Sequence, residues 1–202
     1  NYPGAPEIRD VFSFSESMRA QAAEFGAEFK TEEVVEVREN NGIKTIVTTN
    51  GEYRAKALIL ATGAFPKKLG VPGEEEFAAK GVSYCATCDG AFFRNKTATV
   101  VGGGDTALED ALFLSAICKT VYVVHRRDTF RGAKHLYNRA KNKENIRFVL
   151  NSTVSEIVGE NTVTGVKVKN VKNETETLID TNAVFIAIGS TPDSGVFKGF
   201  VK

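Results

Sequence analysis

The chain holds 202 residues, of which 42% are hydrophobic and 25% charged, with 26 lysines and arginines against 25 aspartates and glutamates. This is the composition of a folded globular chain of one large domain or two small ones, and it argues against disorder. A formal charge of +1 without long blocks of either sign predicts neither a nucleic-acid partner nor a membrane surface, and no apolar run nears the roughly 20 residues that a bilayer span needs.

The opening residues Asn1-Tyr2-Pro3-Gly4-Ala5-Pro6 have loop-forming composition. With no initiating Met and no signal-peptide layout, they read as the middle of a longer, cytoplasmic protein. Ser13 or Ser15 is placed to cap an amphipathic helix through Met18, Ala22 and Phe25 to Gly26, with Glu16 near its start. Strands are expected over 33–38, 44–49 and 52–55, around the turn signals Asn40-Asn41-Gly42 and Asn50-Gly51. The run Ala57-Leu58-Ile59-Leu60-Ala61 reads as a buried strand that ends at Thr62-Gly63-Ala64, where Gly63 lets the backbone approach a ligand. Pro66, Gly70, Pro72 and Gly73 punctuate the next stretch, and the domain boundary is expected there.

From about Gly81 a βαβ pattern begins: an apolar strand over 97–101, a helix over 105–117 and a strand over 120–124. Ala107, Leu108, Ala111, Leu112 and Leu114 mark the buried side of that helix, and Cys118 extends the same apolar pattern as a small buried hydrophobe. Strands over 147–150, 153–158, 163–170 and 177–180 predict a β meander before the run 183–189 closes the unit. That closing run matches 57–63 in layout, since both are apolar and end in a glycine, as two related nucleotide-binding folds in one chain would be.

Val101-Gly102-Gly103-Gly104-Asp105-Thr106-Ala107 is a dinucleotide-binding turn. Gly102 permits the turn, Gly104 lets the backbone approach a pyrophosphate, and Ala107 allows helix and strand to pack, so that free N–H groups and the helix dipole face the anion. A carboxylate aimed at pyrophosphate would repel it, so Asp105 is expected to cap the first helical turn or to meet hydroxyls. After the next strand, His125-Arg126-Arg127, with Arg131 one turn further, stands where an NAD-specific fold presents an acid to the ribose. Guanidinium groups there select a 2′-phosphate, and Asp128 is expected to hold one of them. Cys85-Ala86-Thr87-Cys88-Asp89 supplies two sulfurs close enough to bridge, with an acid beside them to move a proton; Asp89-Gly90 can also be read as a plain turn. A metal is not expected, because the chain has no second C-x-x-C and His125 and His135 are better explained near the dinucleotide site.

These motifs, with Ala61-Thr62-Gly63-Ala64, resemble the low-molecular-weight (bacterial-type) thioredoxin reductases in order and spacing over essentially the whole chain. The resemblance implies an α/β fold with two Rossmann-like nucleotide-binding domains of the FAD/NAD(P)-disulfide reductase type. It implies a flavoprotein in which NADPH reduces FAD, FAD reduces a Cys85/Cys88 disulfide, and the dithiol reduces thioredoxin. By position, Cys85, Cys88 and Asp89 are then catalytic, with Asp89 the acid of dithiol reoxidation. Gly102, Gly103, Gly104, Asp105, Thr106, His125, Arg126, Arg127, Arg131, Ile188 and Gly189 would meet NADPH, and Asn1, Val34, Ala61, Thr62, Gly63 and Ala64 would meet FAD. The family's N-terminal G-x-G-x-x-G turn and C-terminal G-D segment are missing, so the FAD domain is expected to be incomplete. The division implied is 1–67 for a partial FAD domain, 68–195 for the NADPH domain and 196–202 for the return connection. A homodimer of the full-length protein follows from the resemblance alone. Two other readings stand beside it: an NADPH-binding module with a reducible disulfide but no flavin or activity, and the flavoprotein subunit of an alkyl hydroperoxide reductase. Ala86-Thr87 between the cysteines fits thioredoxin reductase better than the latter.

Overall fold

A computed structural model describes residues 10–200, which divide into two compact units: 10–61 with 194–200, and 62–193. In the first unit, α1 spans Val11–Glu24. Its cap is Asp10 rather than Ser13 or Ser15: the Asp10 carboxylate accepts the Ser13 N–H at 2.8 Å and the Ser13 hydroxyl at 2.7 Å. A carboxylate satisfies the orphan donors of a first turn and suits the positive end of the dipole, so the earlier residue takes the cap and the helix starts sooner. Strands β1 (Val34–Asn40), β2 (Ile43–Thr48) and β3 (Glu52–Ala55) form an antiparallel sheet in that order, close to the expected bounds. Asn41 and Gly42 both have positive φ, which the tight β1–β2 turn requires. The 3-10 turn Gly195–Phe197 packs against β1, and Phe197 and Val37 are buried.

The strand expected over 57–61 does not form. Among the described residues it has no β partner, so its backbone groups gain no ladder bonds and Ile59 stands 90% exposed. Apolar continuity shows that a segment suits burial between strands, but the strands must be there to pair with it.

The second unit starts with β4 (Ala64–Pro66) and β5 (Val82–Ser83). The helix α2 (Ala86–Asp89) follows and runs into the 3-10 turn Gly90–Phe93. Next come β6 (Thr97–Gly102), α3 (Asp105–Ser115), β7 (Thr120–Val124), α4 (Lys134–Lys141) and β8 (Ile146–Val149). The meander β9 (Ser152–Gly159), β10 (Val163–Asn170) and β11 (Glu176–Asp180) precedes β12 (Ala183–Ala187) and β13 (Ser190–Pro192). The sequence reading missed α4, because its mostly charged surface hides a stripe of only two buried residues, Leu136 and Ala140. It ran α3 two residues too far, to Ile117.

Strands β5-β12-β6-β7-β8 make one parallel sheet in that order. Side chains alternate across it. Ala98, Val100, Val121, Val123 and Phe185 pack on α3 and α4, while Val101, Val124, Val184 and Ile186 pack on Val154, Ile157, Val163 and Val166 of the meander. Covering both faces is what makes these strands read as unbroken apolar runs. Cys118 is buried with the helix side, its thiol donating to the Phe93 carbonyl at 3.4 Å. Where the chain enters and leaves the unit, β4 and β13 pair antiparallel. No helix among the described residues is long and apolar enough to cross a membrane.

Candidate active site

A cavity of about 660 Å³ opens at the carboxyl ends of β6, β7 and β12, where parallel sheets present free backbone and helix N-termini. Gly102, Gly103, Gly104 and Thr106 form one wall; His125, Arg126 and Arg131 a second; Ile188 and Gly189 a third. Lys67, Leu69 and Val71, with Ser152, Thr153 and Val154 of the meander, complete it. Sequence reasoning missed these last six, because only tertiary packing brings them there: the Lys67 N–H bonds the Gly189 carbonyl at 2.9 Å, Leu69 and Val71 pack on the core that the meander shares with the sheet, and the meander itself lies on that face. Arg127 is exposed and is not among the lining residues, and neither is Asp105. His135 lies exposed on α4.

The glycine turn is bare of side chains for reasons of space. A Cβ at Gly102 would run into the Ala187 carbonyl oxygen, and one at Gly103 into the His125 ring, whereas at Gly104 it would meet nothing within 4 Å. Gly104 therefore leaves the backbone open towards the cavity. The His125 ring is buried, stacks on Phe130 with centroids 4.9 Å apart, and bonds the Thr129 carbonyl through Nε2 at 3.0 Å. Burial outweighs that bond and, with the neighbouring arginines, holds its pKa below the usual imidazole value, so the ring is neutral at pH 7. Asp128 does not hold an arginine: its carboxylate pairs with Lys172 at 3.4 Å.

Cys85 and Cys88 form a disulfide. Their spacing falls on α2, with Cys85 at its N-cap, so that the Cys88 N–H donates to the Cys85 sulfur at 3.2 Å and the Thr87 hydroxyl lies 3.4 Å from it. Both contacts favour negative charge on Cys85 when the bridge opens. Cys88 is exposed and Cys85 half-buried. Asp89, half-buried at the end of α2, lines a separate cavity of about 430 Å³ with Lys80, Ser83, Phe92, Phe93 and Lys96.

Disulfide and nucleotide cavity belong to one unit, but neither cysteine is among the residues that line the cavity. Ala86 of α2 packs into the helix-side core, and the cavity draws its apolar lining from both cores: Ala187 from the helix side, and Val101, Val124 and Val154 from the meander side. Of the remaining expected residues, Val34 lies in β1, and Ala61, Thr62, Gly63 and Ala64 are all exposed. Asn1 lies outside the described residues. Among the described residues, no three or more His, Cys, Asp and Glu gather in a group that could hold a metal.

The sequence matches the model of the pyridine nucleotide-disulphide oxidoreductase family over residues 2–199. The chain belongs to that family. A bifunctional thioredoxin reductase/thioredoxin of Mycobacterium leprae (strain TN) is 44% identical over 208 residues, covering 100% of this chain and 44% of that protein. A thioredoxin reductase of Streptomyces coelicolor is 44% identical over 206 residues, covering 98% of this chain and 62% of that one. Among solved structures, Lactococcus lactis thioredoxin reductase in its FR conformation superposes with a TM-score of 0.80 at 38% identity, covering 100% of this chain and 66% of that one. Thioredoxin reductase from T. acidophilum gives 0.77 at 33% identity, over 93% and 62% of the two chains. The family member described here thus spans less than two thirds of the length of these curated relatives.

Proposed function

We propose that the protein serves an NADPH-dependent thioredoxin-disulfide reductase, passing electrons from NADPH to the Cys85–Cys88 disulfide and on to thioredoxin. The observation that carries this reading is a bare glycine turn with two lining arginines in one cavity and, in the same unit but outside that lining, a disulfide. Since neither sulfur lines the cavity, the arrangement calls for a carrier that takes electrons from the nucleotide and delivers them to the disulfide. FAD, when bound, supplies that two-electron relay.

Of this chain's own residues, Gly102, Gly103 and Gly104 bind the pyrophosphate through N–H groups at the start of α3. Arg126 and Arg131 bind the 2′-phosphate, with the exposed Arg127 next to Arg126 in the chain. Once the bridge is reduced, Cys88, the exposed sulfur, passes its proton to the Cys85 thiolate and attacks the partner's disulfide, and the partner's other sulfur leaves as a thiolate, taking its proton from Asp89. Cys85 then displaces the partner and the bridge re-forms. Thioredoxin as partner rests on the names of the relatives above, a homodimer on the resemblance of motifs alone, and a cytoplasmic location on the sequence.

The residues present fit NADPH better than FAD. Among the described residues the only run of adjacent glycines between a strand and a helix is 102–104, and Val34 and 61–64 offer no second cradle of that kind for a flavin pyrophosphate. This favours, as a second reading, an NADPH-binding module whose disulfide awaits flavin from elsewhere. Visible absorbance of the purified chain, before and after anaerobic NADPH, separates the two. A flavin band that bleaches supports reductase competence in these residues; a chain that binds NADPH without a flavin band supports the module. A chain that binds no NADPH overturns both.

A further inference from the structure

Asp105 neither caps α3, whose N-cap is Gly104, nor lines the nucleotide cavity. Its carboxylate instead crosses to the arginine loop and accepts the Ala133 N–H at 2.6 Å, immediately before α4. That helix begins without a side-chain cap of its own and has no acidic residue in its first turn, so Asp105 supplies from α3 the negative group that the start of α4 lacks. Two further bonds lie beside it: the Gly103 carbonyl accepts the Arg131 N–H at 2.9 Å and the Gly132 N–H at 3.3 Å. Gly132 is pressed against the turn, where a Cβ would come within 2.7 Å of Leu108 Cδ1 and 3.1 Å of the Asp105 nitrogen. At the other end of the loop, His125 packs on Gly103 and bonds the Thr129 carbonyl.

We propose that Asp105 is a positioning residue for 2′-phosphate selectivity, fixing the loop that carries Arg131 to the glycine turn so that the two phosphate sites keep one spacing. The inference rests on the reading of this cavity as an NADPH site. It explains how a carboxylate can stand beside a turn that binds anions: the bond to Ala133 holds it outside the cavity lining, and it acts on the nucleotide only through the loop. Bidentate arginine recognition depends on position more than on charge alone, so a loop freed at Ala133 loses selectivity before it loses binding.

Calorimetric titration of the 202-residue chain with NADP⁺ and with NAD⁺ tests this. Asp105→Ala is expected to weaken NADP⁺ about tenfold and NAD⁺ by less than about twofold. Asp105→Asn keeps an oxygen acceptor for the Ala133 N–H and is expected to hold NADP⁺ affinity within about twofold. Asp105→Ala combined with Arg131→Ala is expected to bind NADP⁺ no more weakly than Arg131→Ala alone, because one residue acts through the other. Equal losses for both nucleotides, or additive losses in the double variant, overturn the proposal, since either means that Asp105 merely supports the turn. If the Ala variant does not fold, Asp105→Glu displaces the acceptor and is held to the same selective loss. Equal affinity of the unaltered chain for NADP⁺ and NAD⁺ would instead sink the NADPH reading itself, and the inference with it.

Discussion

The runs 57–61 and 183–187 are alike in sequence and opposite in fate. Both are apolar and both end beside a glycine with positive φ, Gly63 and Gly189. In the second, β12 lies between β5 and β6 with every residue buried. In the first, no strand forms and Ile59 is open to solvent. The same contrast runs through the two units: 62–193 buries two continuous cores, whereas in 10–61 the helix α1 buries no residue and leaves Val11, Phe12 and Met18 exposed. An apolar strand is thus a statement about two neighbours as well as about itself.

The sharpest way to break the comparison is to truncate one large residue in each run. Phe185 is 1% exposed and meets Phe93 edge-on at 5.9 Å between ring centroids. Phe185→Ala is expected to cost the 62–193 unit about 3–5 kcal/mol, read as a lower urea midpoint, because a cavity opens that the flanking strands cannot fill. Ile59→Ala should change stability by less than about 0.5 kcal/mol. A comparable loss at Ile59 would show that this run is paired in solution and that the contrast is false.

A second pair compares two carboxylates that each accept a tyrosine hydroxyl at 2.8 Å, Glu74 from Tyr84 and Glu32 from Tyr53. Glu74 is 1% exposed and also accepts the Leu69 and Gly70 N–H groups at 2.9 and 2.6 Å, which ties a wall of the nucleotide cavity to the strand that leads to Cys85. Glu32 lies near the surface of the other unit. Glu74→Gln is expected to cost about 1–3 kcal/mol, since an amide cannot accept all three donors without burying an unmatched N–H group. Glu32→Gln should cost under about 0.5 kcal/mol. Burial and the Glu74 bond push Tyr84 up to about 12 from 10.0. The folded state therefore prefers the protonated phenol, and that contribution, full below pH 10, is lost as pH rises towards 12. Alkaline unfolding of Tyr84→Phe should lack this component; an unchanged alkaline profile would remove it.

Much of the 62–193 unit was legible because periodicity and glycine placement are local and its strands find neighbours within the chain. The turn 102–104, the strands β6, β7 and β12, and the meander all read directly. The unpaired run 57–61 misread because pairing is not local. Asp105 as a cap of α3 and Asp128 as an arginine's partner misled for a related reason: a carboxylate in sequence shows that a bond is wanted, and tertiary placement alone decided for Ala133 over the α3 turn and for Lys172 over an arginine. The absence of both cysteines from the cavity lining could not be read either, since which side chains share a cavity has meaning only once the sheet order is known.

The smallest expected effect concerns two aspartates whose shifts have opposite sign. Asp10 is held below its usual value by the Ser13 N–H, so its contribution is present above pH 3.8 and is lost as acid protonates it. Asp110, on α3, is pushed up to about 6 by burial, helped by the Glu109 charge. The folded 62–193 unit therefore binds a proton more tightly than the unfolded chain does, and stability contributed there rises as pH falls from 6 towards 3.8. Asp110→Asn removes a carboxylate whose charged form is disfavoured by burial. It should raise stability near pH 7 by about 1 kcal/mol and flatten the slope between pH 4 and 6. Asp10→Asn should leave that window alone and alter only the profile below about pH 4. Parallel urea titrations across pH would read both. An Asp110→Asn chain less stable at pH 7 would mean that the charged carboxylate is satisfied within the fold, and that the sign argued from burial is wrong.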